Sequence, residues 1–220
     1  MPRIFSFFAA AVFLAITTVG AQAANVDVSF SSKLTRNMDR LNAIEARHEE
    51  FFRTYRDSYR ADRVDSAATF NKSRFGEVVW AGEALIPNIA DFTVENLTTA
   101  LVSESLERAN MGNLEGTIRI RVDRIKVANH SLNFLRSTDS YVIGTIEHVG
   151  ANGNVLKSTK VSANLVYDVS VDVHYAGPGF AFFSGDAALR VGPAIARFVE
   201  KGLENLFEDR EFTRVTLIGS

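Results

Sequence analysis

Cysteine is absent from this chain of 220 residues. Its absence excludes disulfides and thiol chemistry, and it also excludes an N-terminal cysteine that could carry a lipid. Stability must therefore come from an ordinary hydrophobic core, for which an apolar content of 46% is sufficient.

Common catalytic motifs are also lacking. The sequence contains no nucleophile elbow, no metalloprotease helix motif, no phosphate-binding loop and no dinucleotide-binding glycine pattern. Its four histidines do not fall at metal-ligand spacing. Asp172 and His174 would share one face of a strand, but that face is predicted to meet solvent among serines. We therefore predict a protein that is not an enzyme and that holds no cofactor or metal.

Neither sign of charge predominates. The 24 basic and 26 acidic side chains give a formal net charge of −2. The N-terminal segment discussed next contributes one positive charge, from Arg3, so the rest of the chain is slightly more acidic. Such a balance gives no reason to expect nucleic acid or anionic lipid as a partner.

The N-terminus has the organisation of an export signal. Arg3 precedes an apolar run over residues 4–16, interrupted only by Ser6, and the small-residue pattern Ala21-Gln22-Ala23 follows. As a helix this run would span about 20 Å, against about 30 Å for a hydrocarbon core, so a membrane anchor is the weaker interpretation. We predict that residues 1–23 are cleaved after Ala23, with Ala24 as the next candidate. The product is predicted to be periplasmic and to keep no transmembrane segment.

Residues 24–220 are predicted to form one domain. Its first part, residues 24–60, combines a strand over residues 26–30 with an amphipathic helix over residues 34–59. The apolar stripe of this helix consists of Leu34, Met38, Leu41, Ile44, Phe51, Phe52, Tyr55 and Tyr59. Arg47, Glu50 and Arg53 are among the residues of the opposite, polar side. The aromatic side of this helix could pack on its own domain or on a partner.

The second part, residues 77–220, is predicted to hold the main sheet and two helices. A short strand over residues 77–80 is followed by a helix that begins at Asp91 or Thr93 and ends before Gly112. Strands are predicted over residues 118–127, with a bulge near Asp123, and over residues 141–149. Asn152 and Gly153 suit a tight hairpin in which both residues have positive φ.

Residues 155–175 alternate between apolar and polar side chains, which predicts a half-buried strand that bends or breaks within residues 164–170. A glycine-rich break follows at residues 177–185. The last helix could be capped by Asp186, with Pro193 in its first turn or at a kink, and residues 212–218 form a final strand. The predicted fold class is α+β, with a mixed, mainly antiparallel sheet and helices packed on one face.

From Phe92 onward, the order of elements around the turn GANGNVL at residues 150–156 resembles known envelope domains. These are the small α/β domains of the curli-secretion lipoprotein and of the penicillin-binding-protein activator lipoproteins, together with related envelope domains of unknown function. The chain departs from those families because it lacks the cysteine that carries their lipid. The resemblance therefore implies an envelope location without outer-membrane attachment, and it transfers no functional residue.

The candidate binding residues are Tyr175, Phe180, Phe182 and Phe183. Three phenylalanines within four positions are too apolar for an exposed connection, so they either contact a partner or cover the core of the domain itself. We predict a non-enzymatic periplasmic protein that binds or scaffolds another protein of the cell envelope. The alternative is a carrier that holds a small apolar ligand in a cavity between sheet and helices.

Overall fold

The computed structural model describes residues 25–61, 78–127, 140–165, 180–183, 190–212 and 215–218. Its strands are β1 (Asn25–Phe30), β2 (Thr117–Lys126), β3 (Tyr141–Val149), β4 (Val155–Asn164), β5 (Phe180–Phe183) and β6 (Val215–Ile218). Its helices are α1 (Ser32–Thr35), α2 (Met38–Ala61), α3 (Ala81–Leu85), α4 (Val94–Arg108) and α5 (Gly192–Leu206), with a 3-10 turn at Ile89–Asp91. The predicted α+β class is confirmed.

The main sheet has the strand order β1-β2-β3-β4. β1 runs parallel to β2, whereas the other two pairs are antiparallel, which confirms a mixed and mainly antiparallel sheet. The face that packs against α5 carries buried apolar residues: Ile118, Ile120, Val122, Val142, Ile146, Val161 and Ala163. On the other face Arg119 lies 3.6 Å from Asp27 and 3.5 Å from Glu147. Helices therefore cover one face while charged side chains occupy the other.

The connection between β3 and β4 differs from the predicted two-residue hairpin. Gly153 has a φ of +81°, but Asn152 does not have a positive φ. The loop instead spans five residues, with the Gly150 amide donating to the Asn154 carbonyl at 2.9 Å and the Gly153 amide donating to the Gly150 carbonyl at 2.9 Å. A longer loop needs only one left-handed residue, so the prediction for Asn152 was wrong.

The predicted bulge in β2 is confirmed, because the register with β3 shifts between Val122 and Arg124. The alternation predicted for residues 155–175 holds only in part. β4 ends at Asn164, and its buried positions begin at Val161, whereas Val155 and Leu156 near its start are exposed. Residues 166–175 lie outside the described part of the chain.

Three helix boundaries can be compared with the predictions. The helix predicted from residue 34 is interrupted at Arg36, and α2 begins at Met38. Thr93 caps α4 as predicted, since its hydroxyl accepts from the Asn96 amide at 3.1 Å. Asn110, with a φ of 57°, follows the end of α4 and takes the role expected of Gly112.

The region around β5 departs further from the sequence-based prediction than the main sheet does. Residues 180–183 form a strand parallel to β6, so the predicted break is not a loop at these positions. Trp80 makes a single parallel bridge to Ala181, and α3, which was not predicted, follows directly. Pro193 lies in the first turn of α5, as predicted. The proposed cap Asp186 falls outside the described residues.

Candidate functional site

Helix α2 buries carboxylates and exposes aromatic rings. Glu45 and Glu49 are each only 1% exposed, whereas Ile44, Phe51 and Tyr55 are 37%, 55% and 46% exposed. At these three residues the apolar stripe is therefore exposed and is not packed in the core of the domain. Only part of that stripe, including Met38, is buried.

The buried position of Glu49 is explained by two arginines. Its Oε1 lies 2.8 Å from the Arg53 Nε, one helical turn further along α2. Its Oε2 accepts from Arg190, which lies two residues before α5 and is 3% exposed. A buried carboxylate is tolerated when it is paired and hydrogen-bonded, and here both oxygens are occupied.

Arg53 also binds the end of α3. Its Nη2 donates to the carbonyls of Gly82 at 3.0 Å and Ile86 at 2.7 Å, and its Nη1 donates to the Pro87 carbonyl at 2.7 Å. The carbonyls of Ile86 and Pro87 follow the end of the short helix and gain a donor in this way, whereas the Gly82 carbonyl also accepts from the Ile86 amide at 3.0 Å. Gly82 permits the close approach, since a Cβ there would lie 2.5 Å from a Glu49 carboxylate oxygen.

Two further contacts fix the same side of α2. The Phe92 ring has the Arg53 guanidinium 5.9 Å from its centroid and the Arg190 guanidinium 6.0 Å from it. Asn42 accepts from the Val94 amide at 3.0 Å, which satisfies a free donor in the first turn of α4. Polar pairing and Phe92 therefore hold this side of α2 against the domain, together with the buried side chain of Met38.

The opposite side of α2 forms an exposed apolar row, which we define as Ile44, Phe51 and Tyr55. Residues separated by four or seven positions lie on one side of a helix. The rings of Phe51 and Tyr55 are in contact, with centroids 4.4 Å apart. Large apolar side chains that are contiguous and exposed mark interaction surfaces more often than isolated ones do.

Arginines border one edge of this row. Arg40 and Arg47 are exposed, and neither forms an ion pair with any residue that the structure describes. Basic side chains along this edge favour acidic groups at the matching edge of a partner.

A shallow groove of about 420 Å³ lies beside the buried network. It is lined by Glu50, Arg53, Thr54, Pro87, Asn88 and Ile89. None of its lining residues is aromatic, so this groove is not the cavity lined by aromatic rings that is expected for a carrier.

The structure gives a partial answer for the predicted binding residues. Phe182 is 4% exposed and packs against the start of α5, where a Cβ on Gly192 would lie 3.0 Å from its ring. For Phe182 this agrees with the alternative that the ring covers the domain's own core. Tyr175, Ala23 and Ala24 lie outside the described residues, as do the side chains of Phe180 and Phe183.

The described histidines have packing environments. His148 places its Nε2 2.9 Å from the Glu115 carbonyl and its ring 5.6 Å from Phe207. His48 is half-buried on α2. Within the described ranges no three His, Asp or Glu side chains lie together as a metal site would require. His174 and Asp172 are outside those ranges.

Sequence reasoning missed the network of Glu49, Arg53 and Arg190. The sequence does contain a signal for the pair of Glu49 with Arg53, because the two residues stand four positions apart on one helix, which is the spacing of a favourable ion pair. The contribution of Arg190, 141 positions from Glu49, leaves no local signal.

None of the helices described here combines the length and the apolar character needed to cross a membrane. Comparisons with protein-family models, with curated proteins and with solved structures gave no match to this chain. The resemblance to envelope lipoprotein domains thus stays a prediction from the order of elements.

Proposed function

We propose that this chain is an exported, non-enzymatic protein of the periplasm that binds or scaffolds another envelope protein through the exposed apolar row of α2. The observation that carries the proposal is the exposure of Phe51, the most exposed ring of the row, on a helix held by buried ion pairs. Because α2 is fixed on its other side, it can present these rings without rotating to bury them. Partner binding is then the means by which the apolar surface leaves water.

Export is proposed from the N-terminal sequence, in which Arg3, the apolar run and Ala21-Gln22-Ala23 follow one another. The expected product begins at Ala24 or Asn25. Intact-mass measurement on protein isolated from the producing cell tests this, and a chain that retains Met1 would contradict it.

Affinity capture from a periplasmic extract tests the binding function. The mature protein is compared with the variant Phe51→Ser and with Leu156→Ser, which removes an apolar side chain that is 61% exposed on β4, away from α2. We expect a partner protein to co-purify with the wild type and with Leu156→Ser but not with Phe51→Ser. Recovery of the same proteins with all three would overturn the proposal.

A further inference from the structure

We infer that the partner docks on α2 with an amphipathic helix whose apolar side is bordered by acidic residues. The inference rests on the proposed function, since it names the chemistry of the partner at the same surface. Two independent features of α2 carry it, namely the spacing of its apolar residues and the sign of the charge beside them.

The spacing is that of a helix-packing seam. Leu41, Ile44, His48, Phe51 and Tyr55 follow one another at intervals of three, four, three and four residues. Residues with this alternation occupy the a and d positions of a heptad, the pattern with which one helix packs on another, and four of the five are apolar. Leu41 and His48 are half-buried, while the three residues of the apolar row are exposed, so the seam is open along its outer side.

The charge comes from the flanking positions. With Leu41 and His48 at position a, Arg40 and Arg47 occupy the flanking position g. The other flank, position e, holds Glu45 and Phe52, which face the domain and are unavailable to a partner. Since flanking charges determine which helices pair, a partner helix here meets arginines and is best complemented by Glu or Asp.

A second copy of the chain fits this surface poorly. Two antiparallel copies related by a two-fold axis place the same flank of each helix together, so Arg47 would meet arginines of the other copy. Parallel copies would pair position g with position e, which is buried here. An anionic bilayer is also disfavoured, because Asp39 and Glu50 are exposed on the adjoining side of α2.

The test uses two designed helical peptides of about three heptads, with Leu at positions a and d and with either Glu or Lys at the flanks. Binding to the mature protein is measured by fluorescence anisotropy at low ionic strength. We expect the Glu-flanked peptide to bind at least about tenfold more tightly than the Lys-flanked one. Arg47→Glu should reduce or reverse this preference, and Phe51→Ser should weaken binding of both peptides.

The matched control is Lys160→Glu, which makes the same change in net charge at an exposed position on β4. It should leave the preference unchanged, because Lys160 is not on α2. Equal binding of the two peptides, absence of binding, or a preference that Arg47→Glu leaves intact would each overturn the inference.

Two further measurements test whether a membrane or a second copy of the chain occupies the apolar row instead. Co-sedimentation with phosphatidylglycerol vesicles that Phe51→Ser abolishes, without peptide binding, would assign the surface to a membrane. A concentration-dependent dimer in sedimentation velocity that Phe51→Ser abolishes would assign it to a second copy. Either result would overturn the inference of a partner helix, but the proposed function would still hold if capture of a partner depends on Phe51. Capture that does not depend on Phe51 would overturn the proposed function itself.

Discussion

Helices α2 and α5 lie in the same domain, yet they bury different chemistry. α5 packs Ile195, Phe198 and Leu203 against the sheet, and its one buried carboxylate, Glu200, pairs with Arg197 of the same helix. α2 turns Glu45 and Glu49 inward and leaves Phe51 in solvent. The comparison teaches that apolar periodicity identifies the inner face of α5, whereas the inner face of α2 combines buried ion pairs with only a few apolar residues, Met38 among them.

The largest effect is expected when the buried network of α2 is broken on one side. Glu49→Gln removes the charge that pairs with Arg190 and Arg53, and an uncompensated buried charge costs about 3–5 kcal/mol of unfolding free energy. Urea denaturation followed by circular dichroism measures it. The double variant Glu49→Met with Arg190→Met should recover much of the loss, and a single variant as stable as the wild type would refute the anchoring role of Glu49.

The next effect tests the apolar side of the comparison. Leu203→Ala in α5 removes a fully buried side chain and should cost about 3 kcal/mol, from lost burial and from the cavity left behind. Ile44→Ala, at an exposed position of α2, is the matched control and should change the unfolding free energy by less than about 0.5 kcal/mol. If the two changes cost the same, the assigned difference between the helices is wrong.

A smaller effect is expected at the apolar row itself. Phe51→Ser should leave the free energy of unfolding within about 0.5 kcal/mol of the wild type, since the ring is already more than half exposed. Thermal unfolding checks this and shows at the same time that loss of binding in this variant is not loss of folding. A drop of several degrees would mean that Phe51 packs on its own domain.

The smallest effect concerns the end of α5. The Lys157 ammonium, 2.8 Å from the Glu208 carboxylate, holds the pKa of Glu208 below its ordinary value. Because the pKa is lower in the folded protein, the pair stabilises the fold above the ordinary pKa, and this contribution disappears as the pH falls through the lowered pKa. NMR titration of Glu208 should report the lowered pKa, and Lys157→Gln should return it towards the ordinary value. An identical titration in both proteins would show that the pair does not form in solution.

Much of the sheet was predictable, because its signals are local. Alternation identified β3 with its observed bounds, and the change of phase in β2 identified the bulge before Arg124. The parallel pairing of β5 with β6 was not predictable, since residues 180–183 and 215–218 are distant in sequence and each strand is only four residues long. The small helix α3 was missed for a similar reason, as five residues give no clear period.

The candidate site was less predictable than the fold. The aromatic side of α2 was recognised, but the pattern left open whether it packs on its own domain or on a partner, because an apolar stripe suits either. The observed orientation is stabilised by the pair of Glu49 with Arg190, and the position of Arg190 depends on the whole tertiary structure. Phe182 differs from the aromatic residues of α2 in the opposite direction. It was predicted as a candidate binding residue, and the structure buries its ring.

The parallel pairing of β1 with β2 has a consequence for the order of folding. The Ser29 hydroxyl donates to the Ile120 carbonyl across 91 positions of sequence, whereas β2, β3 and β4 join neighbours along the chain. Contacts between distant segments form slowly, because a long loop must close before any pairing is gained. Although β1 precedes the other strands of the sheet in sequence, it is therefore expected to join the sheet after the β2–β4 meander has formed. Until then the edge of β2 is open, and it is the place where a partly folded chain would be most exposed to pairing with another.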